Sequence, residues 1–264
     1  MKHFALIGVL ALGTILLVSA GKKPVTMFMV GDSTMADKTE LDISPERGWG
    51  QLLPTYLQGN IVVQNHAMNG RSTKSFLKEG RWDEVMKRAH KGDIVVIQFG
   101  HNDSKKTDST RYASIAEYTD NLMKMVQQAQ KKKMHVILCT PVSRRYFKDG
   151  AFHPRHGGYP DAARHVAWAT GVMMVDMEQL TSEWLIGLGD EASKAHFMNV
   201  APGECTKFPD GKIDNTHYRE SGALITAAMF VRALNNMNVS WVHPYLHYTD
   251  NAEPVYSTFC RPNL

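Results

Sequence analysis

The sequence predicts a single α/β domain built on a parallel five-stranded sheet with helices on both faces. Five short apolar runs carry that prediction, at residues 25–30, 61–65, 93–99, 134–140 and 172–176. Between them lie longer segments whose apolar residues recur at three- and four-residue steps, the spacing of a helix with one buried face. The run Asp93–Phe99 is apolar almost throughout, as a strand covered on both faces must be.

Taken in order, Val25–Val30 is entered from Pro24 and mixes β-branched with large apolar residues. It runs straight into Gly31-Asp32-Ser33-Thr34, all turn-forming or helix-capping types. A helix is expected over residues 48–57, with Pro54 limiting its regularity. Ile61–Asn65 is the second strand, followed by a loop over 66–73 rich in turn formers. Trp82–His90 reads as a helix presenting Trp82, Val85, Met86 and Ala89 to the core. The third strand ends in Gly100-His101-Asn102-Asp103. Ala113–Lys133 is a long amphipathic helix, and Met134–Thr140 a fourth strand stopped by Pro141. Residues 142–160 are irregular and carry Arg144, Arg145, Lys148, His153, Arg155 and His156. A helix over 162–170, a short strand over 172–176 and a helix over 177–188 follow. A polar loop over 199–212 leads to Asp214 and His217, and a final helix spans 218–235. The tail from Trp241 to Leu264 lacks periodicity and receives no role.

The 264 residues suffice for one good-sized domain, and 43% apolar with 21% charged residues exclude a disordered chain. The formal charge of +4 is spread out, and its longest run, Lys131-Lys132-Lys133, closes a helix, where cations suit the dipole. A nucleic-acid partner would need denser basic clustering. At the N-terminus, Lys2 and His3 precede an uncharged run from Phe4 to Ala20 that ends in small residues, the pattern of a cleaved signal peptide over 1–20. An uncleaved anchor is the alternative reading. The expected domain is then 21–240, the tail 241–264, and the mature charge 29 − 26 = +3. An exported, periplasmic or secreted monomer is expected, without membrane insertion after cleavage. Cys139 falls in a strand and reads as a buried thiol, whereas Cys205 and Cys260 lie in loops where an oxidising compartment permits pairing. No Cys-x-x-Cys or His-Glu-x-x-His spacing is present, so neither a metal nor another cofactor is expected.

Four loops stand out. Ser33, Gly70 and Asn102 follow the first three strands, at the sheet edge where open α/β sheets bind ligands, and Asp214 and His217 precede the last helix. Acyl transfer needs a nucleophile, a base, a carboxylate to fix the base's tautomer, and donors for the developing oxyanion. The Asp-x-x-His spacing lets the Asp214 carboxylate fold back to Nδ1 of His217, leaving Nε2 for the Ser33 hydroxyl. Asn102 brings an amide donor, and Gly70 a backbone N–H with no Cβ in the way. Each residue also has a plainer reading. Ser33, Thr34 or Asp214 can cap a helix, Asn102 and Asp103 can form an Asx turn, and Gly70 and His217 can be ordinary loop and packing residues. Their joint placement at strand ends favours the chemical reading.

Gly31-Asp32-Ser33-Thr34, Gly70, Gly100-His101-Asn102-Asp103 and Asp214-x-x-His217 resemble the four sequence blocks of the SGNH (GDSL-type) esterase and lipase superfamily. Within it, Asn69–Phe76, Phe99–Asp103, Thr140–Arg145 and His156–Arg164 resemble the rhamnogalacturonan acetylesterase group. The resemblance covers the chain to about Asn238 and implies a flavodoxin-like three-layer α/β/α sandwich. It further implies Ser33 as nucleophile, His217 as base, Asp214 as its orienter, and the Ser33 amide, Gly70 and Asn102 as oxyanion hole. The implied activity is a serine esterase that removes O-acetyl groups from an acetylated oligo- or polysaccharide, pectin in particular, through an acetyl-enzyme. Arg144, Arg145 and His156 are candidate substrate contacts, because a guanidinium forks a galacturonate carboxylate; a solvated basic loop is the plainer reading. A lipid or acyl-thioester esterase of the same superfamily and a non-catalytic carbohydrate-binding protein of the same fold are the alternatives. The first needs an apolar acyl groove, and the second would lack one of the motif residues.

Overall fold

The computed structural model describes residues 23–247. Its central sheet holds β1 (Val25–Gly31), β2 (Ile61–Asn65), β3 (Ile94–Gln98), β4 (His135–Cys139) and β5 (Met173–Val175), all parallel, in the order β2-β1-β3-β4-β5. The order reverses beside β1, so the loops after β1, β2 and β3 open onto one crevice at the carboxyl edge of the sheet. This is the flavodoxin-like arrangement that the motifs implied.

Alternation along the strands divides the core in two. Met27, Met29, Ile94, Val96, Ile137 and Val175 face one side. There they meet α1 (Trp49–Leu52), α6 (Met177–Ser193) and α7 (Glu220–Met237) through Trp49, Trp184, Phe230 and Leu234. Phe28, Val30, Val95, Ile97 and Leu138 face the other, against α2 (Thr73–Lys78), α3 (Arg81–Arg88), α4 (Ile115–Lys131) and α5 (Tyr159–Thr170). Phe76, Trp82, Tyr118 and Leu122 fill that second layer. Three layers result.

Several elements differ from expectation for local reasons. The helix expected over 48–57 is one α-turn followed by a 3₁₀ turn, Leu53–Tyr56, because Pro54 removes the N–H that an α-helix would need. The loop expected over 66–73 ends in α2, which Ser72 caps by accepting from the Ser75 amide while the Ser75 hydroxyl accepts from the Ser72 amide. A serine in place of the usual Glu or Gln hides that helix from a pattern search. Helix α5 begins three residues early because Pro160 fits a first helical turn. Helix α6 continues past residue 188 by breaking at Gly189, whose φ is +76°. The final helix starts two residues late, since Tyr218–Arg219 pairs antiparallel with Glu46–Arg47. Within the irregular 142–160 segment, Phe147–Lys148 and Ala151–Phe152 form a small hairpin.

Packing continues beyond the expected boundary at residue 240. Trp241 stacks on His135 with centroids 4.4 Å apart, Val242 and Leu246 are buried, and Leu246 bridges to Leu57. The signal segment 1–20, the rest of the tail and the Cys205–Cys260 pairing lie outside the described residues. Cys139 is buried. Among the described residues, no helix is long and apolar enough to cross a membrane, and no group of His, Cys, Asp or Glu is arranged to hold a metal.

Gly48 marks the closest approach between the loop after β1 and α1. A Cβ there would lie 2.1 Å from the Ala36 carbonyl oxygen and 2.7 Å from the Met35 carbonyl carbon, both backbone atoms. Gly48→Ala is therefore expected to destabilise the protein by about 1–3 kcal/mol, read as a lower urea midpoint at unchanged m-value.

Candidate active site

The loop after β1 is fixed by a carboxylate without solvent contact. Asp32 is fully buried; its Oδ1 accepts from the Thr34 amide at 2.9 Å and the Thr34 hydroxyl at 2.8 Å, and its Oδ2 lies 3.1 Å from Nδ1 of His101. Burial alone would raise the Asp32 pKa, but His101 and the Thr34 donors outweigh it and hold the group well below the carboxylate range. His101 is lowered in turn, because its own burial outweighs the attraction of Asp32. The two side chains thus meet in a hydrogen bond shielded from solvent. His156, expected at the substrate, is instead buried edge-on against His101 at 4.4 Å, with its pKa depressed by burial.

This anchoring presents Ser33 at the crevice, 9% exposed. Its Oγ is 2.8 Å from Nε2 of His217, and Nδ1 of His217 is 2.8 Å from Oδ2 of Asp214. With the Nδ1 proton directed at the carboxylate, Nε2 accepts from the Ser33 hydroxyl. Asp214 Oδ1 accepts from the amides of Thr216 at 2.9 Å and His217 at 3.1 Å, and Lys212 Nζ sits 3.0 Å from Oδ2. Burial pushes the Asp214 pKa up, yet the His217, Lys212 and Thr216 contacts prevail and hold it far below the usual range. The carboxylate therefore stays ionised at neutral pH, and the Asp-x-x-His turn closes on itself as its spacing predicts.

The oxyanion candidates converge on the same edge. Gly70 has a φ of +77°, and a Cβ there would press to 3.3 Å of the Arg111 guanidinium. Asn102, 2% exposed, donates one Nδ2 hydrogen to the Arg71 carbonyl at 3.0 Å and keeps the other. Gly100, with φ +140°, lies where a Cβ would meet Pro141 at 2.9 Å, so the loops after β3 and β4 touch here.

Arg144 and Arg145 act on this site differently from the sequence expectation. Arg145 is buried: it donates to Ser193 Oγ at 2.9 Å and Asn215 Oδ1 at 2.8 Å, pairs with Asp190, and its amide donates to the Asn215 carbonyl at 2.8 Å. Its fork is occupied by protein, and it clamps the Asp214–His217 turn in place. Arg144, half-buried, donates to Thr216 Oγ1 at 2.7 Å and to the His101 carbonyl at 3.1 Å, tying that turn to the loop of Asn102.

Sequence reasoning passed over Asp103. Its Oδ1 accepts from the Thr73 amide at 2.9 Å and hydroxyl at 2.5 Å, joining the start of α2 to the Asn102 loop, while its buried Oδ2 has no partner. Its position in the Asn-Asp pair was visible; its burial was not.

Comparison with known proteins places this geometry. A model of the GDSL-like lipase/acylhydrolase family matches residues 29–201. The chain belongs to that family. It is accordingly a carboxylic ester hydrolase. It is 34% identical to the rhamnogalacturonan acetylesterase RhgT of Bacillus subtilis over 219 residues, covering 83% of this chain and 93% of the relative. A rhamnogalacturonan acetylesterase of Emericella nidulans is 25% identical, covering 79% of this chain and 84% of that one. Among solved structures, YxiM of Bacillus subtilis matches with TM-score 0.71 and 25% identity over 82% of this chain and 58% of that one. The acetylxylan esterase Axe2 of Geobacillus stearothermophilus shares the fold at TM-score 0.58 and 18% identity, over 83% of this chain and 98% of that one.

Burial dominates the Asp103 titration and moves it from 3.8 to about 7 despite the Thr73 hydrogen bonds. Between those values the folded protein keeps a proton that the unfolded chain has lost. The Asp103 contribution is thus most favourable below pH 4 and declines as pH rises through 7, with a limiting slope of about 1.4 kcal/mol per pH unit. Asp103→Asn keeps an acceptor for Thr73 and removes the titration. Thermal melts from pH 4 to 7 are expected to show a smaller fall in stability for the variant than for wild type; equal slopes would exclude Asp103 as the source.

Proposed function

We propose that the protein is a serine carbohydrate esterase that removes O-acetyl groups from an acetylated polysaccharide, with rhamnogalacturonan-type pectin as its substrate. The observation that carries the reading is the continuous hydrogen-bonded chain Ser33 Oγ, His217 Nε2, His217 Nδ1, Asp214 Oδ2, with both links at 2.8 Å. In this reading Ser33 Oγ bonds to the acetyl carbonyl carbon as its proton passes to His217 Nε2. The carbonyl oxygen, now an anion, takes the Ser33 and Gly70 amides and the remaining Asn102 hydrogen. Collapse breaks the bond to the sugar oxygen, which receives the proton back from His217. Water then repeats the sequence on the acetyl-enzyme and releases acetate.

The substrate class rests on the acetylesterase relatives and on the surroundings of the triad turn. A cavity of about 520 Å³ lies beside the Asp214 turn, with Tyr146, Phe147, Asp190, Lys194, Lys212 and Ile213 in its lining. Its mixture of aromatic faces, amides and charged groups suits a saccharide chain. It lacks the continuous apolar lining that a long acyl chain requires. Lys2 ahead of the uncharged run from Phe4 to Ala20, and the small residues before Gly21, support export.

Acetate release from acetylated pectin, acetylated xylan and p-nitrophenyl acetate separates the readings. The pectin fragments are expected to give the highest kcat/KM, and Ser33→Ala to abolish turnover of all three; full activity in that variant would end the proposal, and xylan preference would move the substrate. Asn102→Ala is expected to lower kcat by about 10²–10³ with KM little changed, as loss of one oxyanion donor does. Steady-state kinetics on the neutral ester measure this directly.

A further inference from the structure

Lys38 lies in the turn-rich stretch between β1 and α1, where no sequence pattern marks it. Its side chain is only 8% exposed, unusual for a lysine. Its ammonium donates to the Ser33 carbonyl at 2.7 Å and Asn69 Oδ1 at 2.7 Å, and pairs with Glu46 Oε1 at 2.9 Å. An ammonium has three hydrogens, and here all three have acceptors. The main chain of Lys38 is itself gripped by one side-chain amide: its N–H donates to Gln51 Oε1 at 3.1 Å, and Gln51 Nε2 donates to its carbonyl at 3.0 Å. The ammonium is thus held in place from behind.

Each acceptor belongs to a different part of the site. The Ser33 carbonyl and Thr34 N–H form one peptide plane, whose oxygen Lys38 holds and whose N–H donates to Asp32 at 2.9 Å. A plane gripped at both polar atoms cannot rotate freely, and Ser33 Cα, which carries Oγ, sits on its edge. Asn69 directly precedes Gly70, and its main-chain carbonyl accepts from Arg71 at 2.9 Å. Glu46 pairs in register with Arg219, while Arg47 pairs with Tyr218, the residue after His217. Glu46 is held below the ordinary carboxylate range, because Lys38 and the neighbouring His217 outweigh its burial.

We propose that Lys38 is a positioning residue for the hydrolysis: its ammonium sets the nucleophile, the oxyanion glycine and the base in mutual register without touching the substrate. The proposal rests on the roles assigned above to Ser33, Gly70 and His217. Its claim is specific. Removing the three donors leaves the fold and the substrate cavity in place but loosens the alignment of Oγ with Nε2 and with the Gly70 amide. Misalignment of this kind lowers the rate of attack while leaving ground-state binding alone.

The test separates alignment from fold integrity. Ethyl p-nitrophenyl methylphosphonate reacts with an activated serine so that the Oγ–P bond forms, the P–O bond to the aryl group breaks, and p-nitrophenolate leaves while the serine proton passes to the base. The amount released counts competent sites, and the rate reads their alignment. Wild type is expected to release one equivalent per protein. Lys38→Met, which keeps the apolar stem, is expected to release the same amount about 10–100-fold more slowly, with kcat for p-nitrophenyl acetate falling in parallel and KM unchanged. Labelling within about threefold of the wild-type rate at equal stoichiometry would overturn the proposal. So would a lower stoichiometry with the surviving sites reacting at the normal rate, since that marks a fold staple alone. Lys38→Gln, which keeps amide donors, is read against the same limits if the Met variant does not fold. No release by wild type would instead overturn the assignment of Ser33 as nucleophile.

Discussion

A charge without water organises this structure. The Asp32 carboxylate is fully buried at the end of β1, and an unpaired ion there would cost several kcal/mol. Its oxygens are met by Thr34 and His101, and meeting them dictates much else. Thr34 is locked into a turn that also returns its carbonyl to the Trp49 amide at 3.0 Å. Trp49 in turn donates its indole N–H to Gln98 at 3.0 Å, and Gln98 donates to the Thr34 hydroxyl at 2.9 Å. The loops after β1 and β3 are thereby fixed to each other before any residue that faces the crevice is considered. The same burial holds the His101 pKa below that of a free imidazole despite the attraction of Asp32.

On this base the Asp214–His217 turn is an added part, brought in from the far end of the chain and held by side chains rather than by the sheet. Arg145 and Arg144 grip Asn215 and Thr216, and the Met198 amide donates to the His217 carbonyl at 2.9 Å. Around the turn, the two-residue ladder between Glu46–Arg47 and Tyr218–Arg219 is joined by single antiparallel bridges from Phe197 to Tyr218 and from Val200 to Lys212. A pair of arginines that looks like a receptor for an acidic substrate is in this chain bonded to the Asp214–His217 turn. The two uses have the same sequence appearance, because both call for a guanidinium beside the strand-four loop.

The inner strands were legible because parallel strands covered on both faces must be apolar, as Ile94–Gln98 nearly is, and the edge strand Ile61–Asn65 by its β-branched start. The positions of Ser33, Gly70, Asn102, Asp214 and His217 were legible for a different reason: loops at one edge of a parallel sheet have one place to meet. Helix α2 was not, since its cap uses Ser75 where a longer acidic or amide side chain is the familiar signal. The pairing of residues 46–47 with 218–219 was not, since two residues carry no period. Burial of Arg145, His156 and Lys38 was invisible for a general reason. Composition assigns charged residues to the surface, and only the assembled loops show where the acceptors lie.

Finally, the segment after α7 crosses back to the side of the sheet where its strands begin. The Gln58 amide donates to the Tyr245 carbonyl at 2.8 Å, the His247 amide to the Tyr56 carbonyl at 2.8 Å, and the Val25 amide to the Asn60 carbonyl at 3.0 Å. Lys23 and His247 therefore both stand at the rim away from Ser33. Attachment through this rim, to a resin or a cell wall, would hold the molecule by its back and leave the crevice turned toward a polymer too large to diffuse.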